Sequence, residues 1–370
     1  MNTDMVFCDR RLEIIHESFG SMAVIMVAES KIKKGKWIAV FIVALGLSAA
    51  VFFWLKKDTG TVPEYVFSYA ENQTADYPTT LGGLRFAQLV EERTQGRIRI
   101  LVQSQGILGS ETEVIKQMQY GGIDFARVSI AQMSDFIPEM NVLQLPYLYE
   151  DSAHMWRVLD GEIGDRFLEY PQEYGLIGLS WYDAGARNLY CSVRPIRTLE
   201  DMQGLRIRVQ EAEMMSEMMN ALGAVAVQIP YDQVYAALER KQVDGAENNW
   251  SSYETMQHYE VAGYYTVDEH IRIPEMQICA QHTWELLSQE DRNIIIECAR
   301  ESALYERELW TEHEMLAREN ALRNQVQEIY LSEEEKKKFQ AAMEPIYQQY
   351  YTDYGKDIEE IFAQGTKGRE

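Results

Sequence analysis

The chain has 370 residues, 46% of them apolar, enough for two domains with separate cores. Its 58 acidic side chains against 35 basic ones give a formal charge of −23. A surface this acidic repels phosphate backbones, which excludes nucleic acid as a partner.

In chain order, the first distinctive element is the apolar run "WIAVFIVALGLSAAVFFWL" at 37–55. As a helix it spans roughly 28 Å, about the hydrocarbon thickness of a bilayer. Four lysines in "KIKKGK" (31–36) precede it and only Lys56 and Lys57 follow. The positive-inside rule then makes residues 1–36 a cytoplasmic segment and places the chain beyond residue 57 outside the cytoplasm, in the periplasm or on the membrane's outer face. The run reads as a retained anchor. A cleaved signal peptide is the alternative, with small residues at Ser48-Ala49-Ala50. Residues upstream of the lysines read as an over-long start, with Met22 or Met26 as the true beginning.

From residue 64 onward, short β-branched and aromatic runs alternate with amphipathic helices. "EYVFSYA" (64–70) and "RIRILVQ" (97–103) read as strands, and 79–97 between them as a helix carrying Leu84, Ala87, Leu89 and Val90 on its inner face. Alternation of this kind predicts an α/β fold with largely parallel sheets. "EVIKQMQYGGIDFA" (113–126) and "QVYAALERKQVDGA" (233–246) share a pattern at a constant offset of 120. In both, an amphipathic helix turns into a strand that begins with an aspartate, which predicts two lobes built on related βα units. The stretches after each echo, Arg127-Val128-Ser129 and Glu247-Asn248-Asn249, would then flank a cleft between the lobes, where small ligands bind. Residues 289–327 contain no proline or glycine and predict one long spine helix.

No HExxH, GxSxG, P-loop or GxGxxG motif is present, and the histidines show no metal-ligand spacing, so no catalytic residue, metal or cofactor is expected. The four cysteines form no CxxC pair, and Cys279 and Cys298 sit in apolar contexts as buried thiols. "DEH" at 268–270 reads as a polar loop between strands. In "GLRIRVQ" (204–210), strand alternation puts Leu205, Ile207 and Val209 on one face and Arg206 and Arg208 on the other. A guanidinium in such a strand is costly unless it meets an anion, whether a carboxylate ligand or a neighbouring acid. Arg187 follows a glycine-containing turn in "WYDAGARNLY".

Four ordered motifs, "RFAQLVEERTQGRIRI", "ILGSETEVIKQMQYGGIDF", "RPIRTLEDMQGLRIRVQ" and "QVYAALERKQVDGAEN", resemble the substrate-binding proteins of tripartite ATP-independent periplasmic (TRAP) transporters, of the dicarboxylate-binding type. The resemblance covers about 64–345 and implies a two-lobed, periplasmic-binding-protein-like α/β fold. The lobes are expected as 64–184 with 274–312 and 185–273 with 313–366, closing over an organic anion. It further implies that Arg208 binds the ligand carboxylate, that Asn248 contacts the same ligand and that Arg187 supports the carboxylate. Its partners would be TRAP permease subunits in the membrane, with the binding protein itself a monomer. Ser129 stands where some sialic-acid binders of the family place a glutamate, which argues against that ligand. Glu71, Asn72 and Tyr77 follow the first strand and suit sugar hydroxyls, and a carboxylate there would repel a second ligand carboxylate. A uronate or aldonate is therefore expected over a C4-dicarboxylate. Trp250 either stacks on a sugar ring or packs beneath its own loop. An enzyme on the same fold and a ligand sensor for a receptor are the rival classes.

Overall fold

A computed structural model describes residues 62–365. The apolar run at 37–55 lies outside them, and among the described residues no helix is long and apolar enough to cross a membrane. The first stretch runs β1 (Tyr65–Ala70), α1 (Pro78–Arg93), β2 (Ile98–Gln103), α2 (Glu111–Gln119), β3 (Phe125–Ser129), α3 (Ile130–Ser134), α4 (Ser152–Leu159), α5 (Glu162–Glu169) and β4 (Leu176–Tyr182). The second contains β5 (Ala186–Cys191), β6 (Arg206–Val209), α6 (Glu213–Ala221), β7 (Val225–Gln228), α7 (Val234–Glu239), β8 (Gly245–Asn248), α8 (Trp250–Thr255) and β9 (Tyr264–Arg272). Then follow β10 (Glu275–Ala280), α9 (Gln281–Leu286), α10 (Gln289–Arg323), β11 (Gln327–Tyr330), α11 (Glu333–Ala342) and α12 (Glu344–Ala363).

The strands form two sheets, in the orders β2-β1-β3-β10-β4 and β11-β9-β5-β8-β6-β7. The sheets are mixed, which corrects the expectation of largely parallel ones. β1 pairs in parallel with β2 and β3, and β6 with β7 and β8, but β10 and β5 run antiparallel to both of their neighbours. The cause is the path of the chain. It crosses from the first sheet to the second between β4 and β5 and returns between β9 and β10, so β5 and β10 enter each sheet from the other side. At the first crossing Gly185 adopts φ 60°, a left-handed conformation that favours glycine, and a Cβ there would meet Glu314 Oε1 at 2.6 Å.

The long helix is present, with 35 residues in α10, or roughly 52 Å. Ser288 caps it by accepting from Asp291 N, and Glu290 and Asp291 sit at the positive end of its dipole. Its buried stripe includes Ile295, Cys298, Ala299, Ser302, Ala303, Glu306 and Trp310, close to a three-four spacing. Gly82 lets α1 approach this stripe closely, since a Cβ there would meet Tyr182 at 2.8 Å and Glu306 Cβ at 2.9 Å. α1 buries Phe86, Ala87, Leu89 and Val90, while Leu84 faces outward, contrary to its expected place. α10 packs on α1 and β4 beside the first sheet and on α8 beside the second. α12 also touches both sides. Arg166 of α5 pairs with Asp357 at 2.6 Å and Glu360 at 2.8 Å, while Gln349 donates to Glu217 of α6 at 3.4 Å.

Candidate functional site

A cavity of about 530 Å³ lies between the sheets. Arg127, Gln132 and Glu275 reach it from the first sheet's side, Arg187, Arg208 and Asn248 from the second, and Trp310 from α10. Three side-chain hydrogen bonds among the described residues link the sides around it, one of them from Gln210 Nε2 to Gln132 Oε1 at 3.4 Å. Tyr77 and Ser252 share a hydroxyl contact at 3.0 Å, and Gln210 Nε2 donates to Ser129 Oγ at 3.3 Å.

Three buried arginines face this cavity, and their hydrogen bonds separate their roles. A guanidinium carries five N–H donors. Arg127 uses all of them. Its Nε donates to Glu71 Oε2 at 3.1 Å, its Nη1 to Glu111 Oε1 at 2.7 Å and Glu275 Oε2 at 2.8 Å, and its Nη2 to Glu71 Oε1 and Asn72 Oδ1. Arg187 has one donor to spare. Its Nε and Nη2 fork onto the Glu247 carboxylate at 2.5 and 2.8 Å, Nη2 also reaches Glu247 O at 3.0 Å, and Nη1 donates to Asn248 Oδ1 at 2.9 Å. Arg208 is different. Only its Nε is engaged, by Ile229 O at 2.8 Å, and Nη1 is buried without a partner among the described residues.

Strand position explains Arg208's burial. Arg206 and Arg208 share a face of β6, but Arg206 lies at the strand's start and forks onto Asp244 at 3.0 and 2.7 Å, with its side chain 43% exposed. Arg208, two residues further, is paired in register with Ala246 of β8 and Val227 of β7 and is 1% exposed. Burial lowers its pKa from the usual arginine value, offset in part by Tyr190 and Glu247. A buried cation lacking a carboxylate is expensive, and an anionic ligand relieves the cost.

Behind Arg187 runs a chain of buried charges. Burial alone would raise the Glu247 carboxyl, but Arg187 and His270 outweigh it and hold it down at about 2. Burial would likewise lower His270, yet Asp268, 2.9 Å from its Nδ1, and Glu247, 3.6 Å from its Nε2, push it up to about 9. "DEH" is therefore not a loop. Asp268 and His270 are fully buried in β9, where Asp268 also accepts from Leu189 N at 3.1 Å.

Of the residues expected from sequence, Arg208, Arg187, Asn248, Asn72 and Tyr77 line the cavity together. Glu71, Ser129 and Trp250 do not. Glu71 is 3% exposed, with its oxygens taken up by Arg127 and by Gln73 N at 3.0 Å. Ser129 caps α3 and accepts from Gln210. Trp250 stacks on Tyr265 with ring centroids 3.6 Å apart, so of its two readings the structure takes packing beneath the loop. Glu111, Glu275, Gln210 and Tyr231, which sequence reasoning missed, also line the cavity. Arg127 and Asn249, which also line the cavity, and Glu247 behind it did carry a signal, as positions of the 120-residue echo.

The fold and site define a class: two sheets joined by crossing strands, enclosing a cavity with a spare buried guanidinium for a small anion. Residues 69–353, most of the chain, match bacterial extracellular solute-binding protein, family 7, and the protein belongs to that family. A solute-binding protein of Chromohalobacter salexigens is 38% identical over 280 residues, covering 75% of this chain and 82% of the relative. A TRAP periplasmic solute-binding protein from Xanthobacter autotrophicus Py2, solved with bound β-D-galacturonate, is similar at TM-score 0.77 and 38% identity, covering 80% of this chain and 98% of that one. Another from Pseudomonas putida F1, with bound D-glucuronate, gives TM-score 0.78 at 32% identity, covering 80% and 97%. The protein acts outside the cytoplasm, in a class that works with TRAP permease subunits in the membrane.

Proposed function

We propose that the protein captures a sugar acid such as a uronate between two lobes, 64–184 with 274–312 and 185–273 with 313–366, and passes it unchanged to a TRAP permease. The observation that carries this reading is Arg208, buried and lacking a carboxylate in a cavity where Arg127 is saturated. Its free N–H groups match a ligand carboxylate, with two parallel hydrogen bonds available. Arg187 supports that carboxylate with its one spare donor, and Asn248 offers Nδ2 because its Oδ1 is already used. Asn72 and Tyr77, on the other side, are suited to ligand hydroxyls. The bound galacturonate and glucuronate of two similar proteins support the choice of ligand.

Calorimetry of the purified protein with D-glucuronate, D-galacturonate and succinate tests the reading. A sugar acid should bind one per chain and be recovered unchanged by mass spectrometry. Binding of succinate alone, or turnover of the sugar acid in proportion to protein, would overturn it.

A further inference from the structure

Glu71, expected to repel a second ligand carboxylate, has its oxygens spent on Arg127 and Gln73 N. Glu275, the first residue of β10, is placed differently. It lines the cavity, is 7% exposed, and binds Arg127 Nη1 through Oε2 alone at 2.8 Å. Its Oε1 makes no hydrogen bond among the described residues. Arg127 has no donor left to turn toward a ligand, so next to Glu275 this side of the cavity has no spare guanidinium, and its other lining cation is Lys116 of α2.

We propose that Glu275 is the specificity-determining residue of the cavity, accepting a hydroxyl of the ligand at its free oxygen and rejecting an anionic group there. This rests on the proposed binding of a sugar acid through Arg208 and says which sugar acids fit: those with a single carboxylate. A hydroxyl supplies the proton that Glu275 Oε1 lacks. A second carboxylate supplies none and brings a like charge beside three acids that share one arginine.

The groups facing Glu275 are Arg127 on β3, Glu111 on α2, Glu71 after β1, Arg187 on β5, Glu306 on α10 and Tyr77. Burial raises the Glu275 carboxyl above its usual range, Arg127 opposes this, and Glu111 and Glu71 add to it. Above about pH 8, where Glu275 is ionised, a ligand with a second carboxylate therefore binds with uptake of a proton at this cluster. Its affinity must rise as pH falls, while that of a single carboxylate changes less.

Gluconate and glucarate isolate the effect, because they differ only in whether the terminal carbon is an alcohol or a carboxylate. Their dissociation constants are measured by calorimetry on the full chain between pH 9 and pH 5. At pH 9 the wild type should prefer gluconate on the order of 100-fold, the cost of like charges at close range in a partly dry site. That preference should shrink as pH falls through about 8, where the Glu275 carboxyl takes up its proton, and level off below. Glu275→Gln should reduce it to within roughly 5-fold at pH 9 and flatten the slope. A preference unchanged by Glu275→Gln would overturn the proposal. Should that variant fail to fold, the wild-type series decides alone, since a preference flat from pH 9 to pH 5 also overturns it. Failure of the wild type to bind gluconate, glucuronate and galacturonate alike would instead remove the sugar-acid reading on which the proposal rests.

Discussion

The two sides of the cavity are built on one plan with opposite charge. β3 and β8 each follow a helix and a turn, and Asp124 and Asp244 precede them in equivalent roles. Asp124 accepts from Ser68 N of β1 at 2.8 Å and Asp244 from Arg206 N of β6 at 2.9 Å. In register, Gln277 of β10 lies opposite Arg127, and Leu189 of β5 opposite Glu247. Two residues earlier on those antiparallel strands stand Glu275 and Arg187. The first side thus pairs arginine on the parallel strand with glutamate on the crossing strand, and the second pairs glutamate with arginine. The first then adds two more acids, Glu71 and Glu111, while the second adds Arg208. Among these buried groups the acids gather on the first side and the spare guanidinium donors on the second, although Lys116 also lines the first and Glu211 and Asp232 the second.

Breaking each pair should expose the difference. Glu247→Ala leaves Arg187 buried and unable to shed its proton, a loss of about 3–5 kcal/mol of stability. Arg127→Met strands three carboxylates instead, with a similar cost at pH 8, but carboxylates can neutralise by taking up protons. Glu111 and Glu275 are raised mainly by burial, and their folded values sit above their unfolded ones. Groups shifted that way cost stability as pH rises, so the Arg127→Met protein should recover as pH falls from 8 to 5. In the wild type, Glu247 contributes fully above about 4.5 and loses that contribution toward about 2. His270 contributes fully below about 6.5 and loses it toward about 9. Glu247→Ala keeps His270 charged beside Arg187 in acid, so its stability should not recover there. Urea unfolding at pH 8 and pH 5 separates the two variants. Parallel pH responses would mean the inversion of charge has no energetic consequence.

Binding offers the next contrast. Arg208→Ala should weaken sugar-acid affinity by about 30-fold to several thousand-fold, the loss from truncating one partner of a desolvated charge pair. Circular dichroism should show the fold unchanged, since among the described residues no carboxylate hydrogen-bonds to Arg208. Arg208→Lys should also fail badly, because an ammonium cannot make paired bonds to a carboxylate. Unaltered binding by both variants would mean that the cavity does not hold its ligand through this arginine.

Sequence reasoning found the donors more readily than their partners. Alternation along "GLRIRV" placed Arg206 and Arg208 on one face, and the family resemblance chose Arg208; the structure leaves that residue without an acid. Glu71 follows a strand end and carries an acid, yet its oxygens are consumed by Arg127, 56 positions along the chain. Glu275 meets the same arginine across 148 positions, a pairing that no local pattern reports. "DEH" misled because polar residues read as loop, whereas Asn188, Leu189 and Glu247 supply the partners that let β9 bury them. The shared plan of the two sides of the cavity was legible in the 120-residue echo, but antiparallel entry of β5 and β10 depends on where the chain crosses. That path leaves no local mark.

The smallest expected effect is also the finest test of the β6 face. Arg206 and Arg208 differ by one strand repeat, and both carry a guanidinium, yet Arg206 lines no part of the cavity. It forks onto Asp244 and donates to Lys241 O at 2.9 Å, at the end of the strand away from the cavity. Lysine there keeps the charge and can reach the same carboxylate with one bond in place of two. Asp244 retains its backbone donor, Arg206 N, whatever the side chain. Arg206→Lys should therefore change sugar-acid affinity by less than about threefold, well under the 1.4 kcal/mol that a tenfold change represents. The measurement is the ratio of dissociation constants for Arg206→Lys and Arg208→Lys under one set of conditions. Equal losses would place the carboxylate at the start of β6 rather than two residues along it, and the free donors of Arg208 would then need another explanation.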